Sequence, residues 1–478
     1  MIRKLLLLFC IIFSFNYPNF SQTGSVGIGT TNPNNSAALE IQSTSKGLLL
    51  PRVSTVQRSA IANPAIGLLV FDTDKNCLFL FDGVAWRAIG LVEGNNFPPI
   101  EREASDGKIG NQFGWSVSMS GNYAIVGAPY DSVNSNDMQG SAYIFVRQGS
   151  NWVQQAKLTA SDGAALEWFG YSVAISGDVA VVGCPYDDVV VLPFTYTDRG
   201  SIYVFTRNGT TWTQSAKLIA NDGLQGEAFG WSVSISGNLI VAAPESGRNA
   251  SNVYTGCAYV FSYNSGAWTQ QSKLFPSDGA EFDHYGGSVS ISGDNIVIGA
   301  SGHGVGGAAY VYLRFLTSWL LDEKLPPSTI QTGAFFGSRV QINGSKIMVS
   351  ATAYDGYGGN NQGAVYTYIK NGSNWSPVYT FIADDGSGGD ILGSSIASFG
   401  NFGIIGASGD RSDASIGLGS AYLLKAAGDN NWALIRKIQV NSNAYSFGHS
   451  IAMDGLNIII GAPSSTDNKG KVYFLNIE

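Results

Sequence analysis

Aspartate is the residue whose placement in this chain most invites chemistry. It recurs in two settings. Short Asp-Gly steps supply Asp106, Asp162, Asp222, Asp278 and Asp385. Loops of variable length carry Asp131, Asp137, Asp187, Asp188, Asp198, Asp355, Asp410, Asp413 and Asp467. Gathered carboxylates can hold a divalent cation, or a ligand through one. Tight turns select the same residues, because Asp-Gly favours them whatever the function. The variable loops also offer Tyr130, Tyr186, Tyr196, Tyr254 and Tyr354. Each presents an apolar ring with a polar tip, suited to stacking on a sugar.

Catalytic groupings are sparse. The three histidines, His284, His303 and His449, stand in no recognisable Ser/His/Asp context. The glycine-rich run Gly302–Gly307 lacks the Lys-Ser/Thr ending of a phosphate loop. No enzyme activity is expected. Of four cysteines, Cys10 lies in the N-terminal apolar run, leaving Cys77, Cys184 and Cys257. Three thiols in a chain of this size are no disulfide scaffold. Cys184 and Cys257 fall on strand positions in neighbouring repeats, where two packed thiols or a bridge would fit; packed thiols are the expectation.

The elements that must position these residues repeat. A marker dipeptide occurs as Phe113-Gly114, Phe169-Gly170, Phe229-Gly230, Tyr285-Gly286, Phe336-Gly337, Leu392-Gly393 and Phe447-Gly448, at spacings of 51 to 60 residues. Each marker opens a segment of alternating polar and apolar residues, the period-2 sign of a strand. A turn such as Ser120-Gly121-Asn122 follows. Next comes an apolar run ending in Gly-Ala-Pro or a variant, as in Ala124–Pro129, Val179–Pro185 and Ile458–Pro463. Proline ends the ladder because it has no N–H to donate. A third strand carries Tyr143, Tyr203, Tyr259, Tyr310, Tyr366, Tyr422 or Tyr473. A fourth carries Trp152, Trp212, Trp268, Trp319, Trp375 or Trp432.

Four short strands per period with recurring aromatics predict an all-β chain whose repeats form a seven-bladed β-propeller over 93–478. Because the same aromatics recur at one strand position, they read as blade-to-blade packing; function belongs to residues that vary between units. Alternating strand direction puts the fourth-to-first and second-to-third loops, and with them the aspartates, on one face. The seventh unit stops after its third strand at Glu478, while residues 93–112 carry a segment ending like the other fourth strands. That segment is expected to close the ring by pairing with the last unit, which hides two sheet edges.

The Phe-Gly opening, Gly-Ala-Pro close and Tyr-Val-Phe third strand resemble FG-GAP repeats over about 113–478. These are the repeats of the integrin α head and of many bacterial exported proteins. The resemblance implies a seven-bladed propeller used in extracellular adhesion or recognition. Integrin-type blades often hold calcium in a D-x-D-x-D-G loop between the first two strands. Here that turn shrinks to Ser-Gly-Asn/Asp, too few oxygens for calcium. No cofactor is therefore assigned, and calcium stays open only at the loop aspartates, without a defined set.

Residues 1–21 have the basic start, apolar run and small Ser21 of a secretory signal peptide, and the run is too short to span a bilayer comfortably. Net charge −8 and a pI near 5.0 argue against nucleic acid as a partner. Low charge density with 12% aromatics excludes disorder. Residues 22–92 are a small β-rich module, with two runs, Gly67–Asp72 and Cys77–Trp86, joined by a turn over Asp72–Asn76. It resembles modules found at the front of exported repeat proteins and in phage tail-fibre-like proteins. About 70 residues make a marginal core alone, so homo-oligomer formation, such as a fibre-like trimer, or docking on the propeller is expected.

The expectation is an exported protein, secreted or at the cell surface, binding an extracellular protein or glycan through Tyr130, Asp131, Tyr186, Asp187, Asp188, Tyr196, Asp198, Tyr254, Tyr354, Asp355, Asp410 and Asp413. A carbohydrate-binding lectin, a polysaccharide-acting enzyme and a purely structural repeat protein are the alternatives.

Overall fold

The structure is a computed structural model. It describes residues 26–74, 77–83, 86–89, 99–191, 194–327, 331–356, 360–411, 419–426, 432–440, 444–465 and 469–477. The expected signal peptide, residues 1–21, and Asp413 and Asp467 lie outside the described residues.

Strand-forming sequence dominates, and the described residues hold seven four-stranded antiparallel sheets of one design. Sheets 1 to 6 span 116–158, 173–218, 229–274, 285–325, 336–381 and 392–438. Sheet 7 takes three strands from the C-terminal end, Ser450–Asp454, Asn457–Ala462 and Lys471–Asn476. Its fourth strand is Ile100–Arg102, which pairs antiparallel with Lys471–Asn476 in the register Arg102 to Val472 and Ile100 to Phe474. This β-propeller-type arrangement places the first strand of every sheet along a common central cavity.

A marker glycine in every repeat, and a closing glycine in five of the seven, explain the marker and the Gly-Ala-Pro close. Marker glycines sit at φ of +89° to +97°, a region that side chains rarely adopt. The closing glycine lies under the next sheet: a Cβ on Gly127 would stand 2.0 Å from the Gly170 carbonyl oxygen, and one on Gly461 would stand 2.1 Å from that of Gly114. Serines beside the marker fasten the same seam. Ser116 Oγ donates to the Gly170 carbonyl at 2.8 Å, Ser172 to Gly230 at 2.7 Å, Ser395 to Gly448 at 2.6 Å and Ser450 to Gly114 at 2.8 Å. The last of these joins sheet 7 to sheet 1, as does the Phe113 N–H donated to the Lys469 carbonyl.

The recurring aromatics form the core between sheets. Phe113 meets Tyr143 edge-on at 5.4 Å, and Phe229 meets Tyr259 at 5.5 Å. Trp152 stacks on Phe474 of sheet 7 at 4.6 Å. The third-strand tyrosines and most fourth-strand tryptophans are buried, as packing requires and as sugar platforms could not be.

In the front module, Leu69–Asp72 pairs with Cys77–Phe81 and that strand with Trp86–Ile89. Two features go beyond the expected β runs. Arg52–Val53 adds a parallel strand, and a short helix, Thr55–Ser59, starts in a Ser54/Gln57 capping box. The helix brings buried Arg58 to Asp72 at 2.8 Å and over the Phe79 ring at 3.8 Å.

Candidate functional site

The aspartates do gather between the fourth-to-first and second-to-third loops, but lysines from the fourth strands neutralise them. Lys157 Nζ lies 2.5 Å from Asp106 and 2.7 Å from Asp131. Lys217 reaches Asp162 and Asp187, both at 2.7 Å. Lys437 reaches Asp385 at 2.7 Å and Asp410 at 2.6 Å. The third-strand tyrosine completes each unit: Tyr143 donates to Asp106, Tyr203 to Asp162 and Tyr422 to Asp385. Burial alone would raise the Asp106 pKa, but hydrogen bonds from Lys157 and Tyr143 outweigh it and hold the carboxyl below its usual range. Asp162 behaves alike with Lys217 and Tyr203. In sheet 4 a histidine fills the second carboxylate's place: His303 Nε2 contacts Lys324 Nζ at 2.7 Å, and its Nδ1 contacts Asp283 at 2.7 Å.

Asp131, Asp187 and Asp410 are only 1–3% exposed, so their expected role in an open ligand surface is corrected. They are internal ties between loops. Asp131 also accepts from Asn111 Nδ2 at 2.6 Å and Ser141 Oγ at 2.7 Å. Asp188, Asp198 and Asp355 remain exposed, yet Asp188 caps the Asp198 N–H and Asp355 the Asn361 N–H. No group of three or more His, Cys, Asp or Glu among the described residues is placed to hold a metal ion. Cys184 and Cys257 are separate buried thiols, and burial pushes Cys257 up to about 12.

The tyrosines divide. Tyr196 lies beneath Arg199 and Tyr254 beneath Arg248, each held within its own loop. Tyr354 packs against the core of sheet 5. Tyr130 and Tyr186 do converge, because Trp168 stands between them at 4.9 and 4.5 Å.

Tyr130 touches Trp115 at 6.0 Å and Trp168 touches Tyr171 at 6.1 Å, and Trp115 and Tyr171 line a cavity of about 330 Å³ on the central axis, walled by the first strands of all seven sheets. The position just after the marker reads Trp115, Tyr171, Trp231, Gly287, Ser338, Ser394 and His449 around the ring, and five of these, all but the two serines, line the cavity. One side is an aromatic crescent: His449 to Trp115 at 4.7 Å, Trp115 to Tyr171 at 5.6 Å, and Tyr171 to Trp231 at 4.4 Å. The other side carries small residues and Arg339 of sheet 5. Arg339 Nε donates to the Ser394 carbonyl at 3.1 Å, and Nη1 to the Ser338 carbonyl at 3.0 Å. Burial and the Arg339 charge push His449 down to about 4, so its imidazole is neutral at pH 7.

Sequence reasoning missed Trp115, Trp168, Tyr171, Trp231, Arg339 and His449. For Trp115, Tyr171, Trp231 and His449 the signal was variation: the residue after a near-constant Phe-Gly changes from Trp to Gly to His between units.

The family profile described as "FG-GAP repeat" matches residues 103–145, 152–205, 212–261, 268–312, 319–368 and 375–424. The chain belongs to the FG-GAP repeat family. The profile described as "Phage tail like trimerisation region" matches residues 27–100. Integrin alpha-7 of Rattus norvegicus is 29% identical over 133 residues, covering 27% of this chain and 12% of its own length. Integrin alpha-7 of Homo sapiens is 34% identical over 118 residues, covering 24% and 9%. Integrin alpha-6 of Gallus gallus is 32% identical over 117 residues, covering 24% and 10%. The matched stretches therefore span only about a tenth of those integrin chains.

Proposed function

We propose that the repeats form a closed seven-bladed propeller that captures an extracellular ligand at its axis, in an exported protein that is a binder and not an enzyme. The observation that carries this reading is the convergence of the unit-to-unit variation on one cavity. Constant residues pack the blades, while the variable position after each marker supplies an aromatic crescent and the next position, serine in the other six units, supplies Arg339 in sheet 5. Concave sites where rings and a few placed polar groups converge are where small ligands bind, and here serines, Arg339 and His449 join the rings in the lining. Relatives named as integrin alpha chains support a recognition role, and the secretory character of residues 1–21 supports export. Among the described residues no helix is long and apolar enough to cross a membrane.

The front module would supply valency. Leu49, Val56 and Ile66 are 76–81% exposed, an apolar display that a trimer of modules would cover. Three propellers on one stalk would then raise a modest single-site affinity through effective concentration. Because lysines already neutralise the acidic loops, binding is proposed to need no calcium.

The test is binding of the full chain to a glycan and matrix-protein panel, with and without chelator, read by tryptophan fluorescence. A chelator-insensitive ligand that changes the fluorescence supports the axial site. Ligands that bind only with calcium and leave the fluorescence unchanged would overturn it.

A further inference from the structure

Arg339 lines the cavity as an exposed residue and has no carboxylate partner among the described residues. Of the five N–H donors of a guanidinium, two are committed to the Ser338 and Ser394 carbonyls. The rest remain available to a guest. The first-strand serines Ser116, Ser172, Ser395 and Ser450 donate to the neighbouring blades and offer only neutral hydroxyl oxygens, so they bring no charge to balance the guanidinium. Glu245 exerts its field on Tyr171 and Tyr186 at the aromatic side, and burial raises its own pKa.

Resting on the axial reading above, we propose that the site takes an acidic saccharide, a hexuronate unit whose carboxylate pairs with Arg339 while its ring lies on the aromatic crescent. A planar guanidinium fork matches one carboxylate and holds it with charge-assisted hydrogen bonds. The faces of Trp115, Tyr171 and Trp231 suit the apolar C–H side of a pyranose. The neutral His449 imidazole offers a hydroxyl group one donor and one acceptor. One arginine, a glutamate nearby and a chain of net charge −8 disfavour a multiply charged phosphate and suit a guest with one charge per ring. The cavity, about 330 Å³, admits a unit of that size at the low end of ligand sites.

The test is calorimetry of the full chain with tri-galacturonate and with its methyl ester, repeated on Arg339→Gln and Arg339→Lys with melting temperatures recorded. The acid is expected to bind the wild type at least roughly tenfold more tightly than the ester, the scale of a charged hydrogen bond. Arg339→Gln should erase that difference without lowering the melting temperature, and Arg339→Lys should keep part of it. Equal binding of acid and ester by the wild type would overturn the carboxylate assignment while leaving an axial saccharide site standing. Binding of neither would overturn the acidic-saccharide assignment; whether the axis binds at all is then decided separately by the panel and the tryptophan signal.

Discussion

Replacing Asp131 by alanine separates a structural aspartate from a ligand-binding one. Its carboxylate is buried and serves Asn111, Ser141, Tyr143 and Lys157 together. Removing one partner of a buried ion pair costs about 3–5 kcal/mol when the other charge is stranded. Lys157 is not stranded, because Asp106 stays 2.5 Å away, which points to the lower end. Asn111 and Ser141 lose an acceptor inside the protein, and each such loss costs about 1–3 kcal/mol before relaxation. The expectation is therefore a loss of about 3 kcal/mol, more than a hundredfold in the unfolding equilibrium. Urea denaturation followed by tryptophan fluorescence, with far-UV dichroism as a second probe, measures it. Asp188→Ala, at an exposed loop position, is the control and should change stability little. Chelator should shift neither protein. If Asp131→Ala stays within 0.5 kcal/mol of wild type, or if calcium stabilises the wild type and not the variant, the lysine-tied loop is wrong and a cation site takes its place.

Other outcomes follow from the same geometry. Glu167 is pushed up to about 7, mainly by burial and further by Asp187, against an ordinary value of 4.5. Its folded form thus holds a proton that the unfolded chain releases, so its contribution to stability is full below pH 4.5 and fades as pH rises through 7. Glu167→Gln should flatten the stability profile across that window, by an amount on the order of 2 kcal/mol; an unchanged profile would refute the assignment. Gly461→Ala drives a Cβ toward the Gly114 carbonyl at the seam between sheets 7 and 1 and should lower stability by roughly 1–3 kcal/mol, which thermal denaturation would detect. Deleting residues 96–106 removes the strand paired with Lys471–Asn476 and should lower the melting temperature sharply, whereas an equal melt would contradict closure. Light scattering should give three times the chain mass for the full protein and a single mass for 99–478; a monomeric full chain would remove the stalk.

The fold was legible because repetition averages out local ambiguity. One Phe-Gly step predicts little, but seven at a near-constant period, each followed by alternation, a turn and a proline stop, allow few architectures. Even the pairing of the segment before residue 112 with the last repeat followed from counting fourth strands. The front module was less legible, since five helical residues and a two-residue parallel strand leave no periodicity to read. The site was legible only in part. Asp131 and Asp187 look like solvent-facing loop acids until Lys157 and Lys217, on strands paired from other parts of the repeat, reach them. Tyr130 and Tyr186 were identified by sequence, but the aromatic surface they join is built from Trp115, Trp168, Tyr171 and Trp231. Those residues come together only when three blades are arranged around one axis.

The central claim is that ligand meets the axis and not the acidic loops. It is tested most directly by binding isotherms of one panel ligand to three proteins: wild type, Trp115→Ala with Trp231→Ala, and Asp188→Ala with Asp355→Ala. The account predicts that the tryptophan pair weakens binding by tenfold or more while the fold persists, since each stacked ring contributes about 0.5–1.5 kcal/mol beyond its buried area. The aspartate pair should bind as wild type does. The reverse pattern, with binding lost from the aspartate pair and kept by the tryptophan pair, would contradict it.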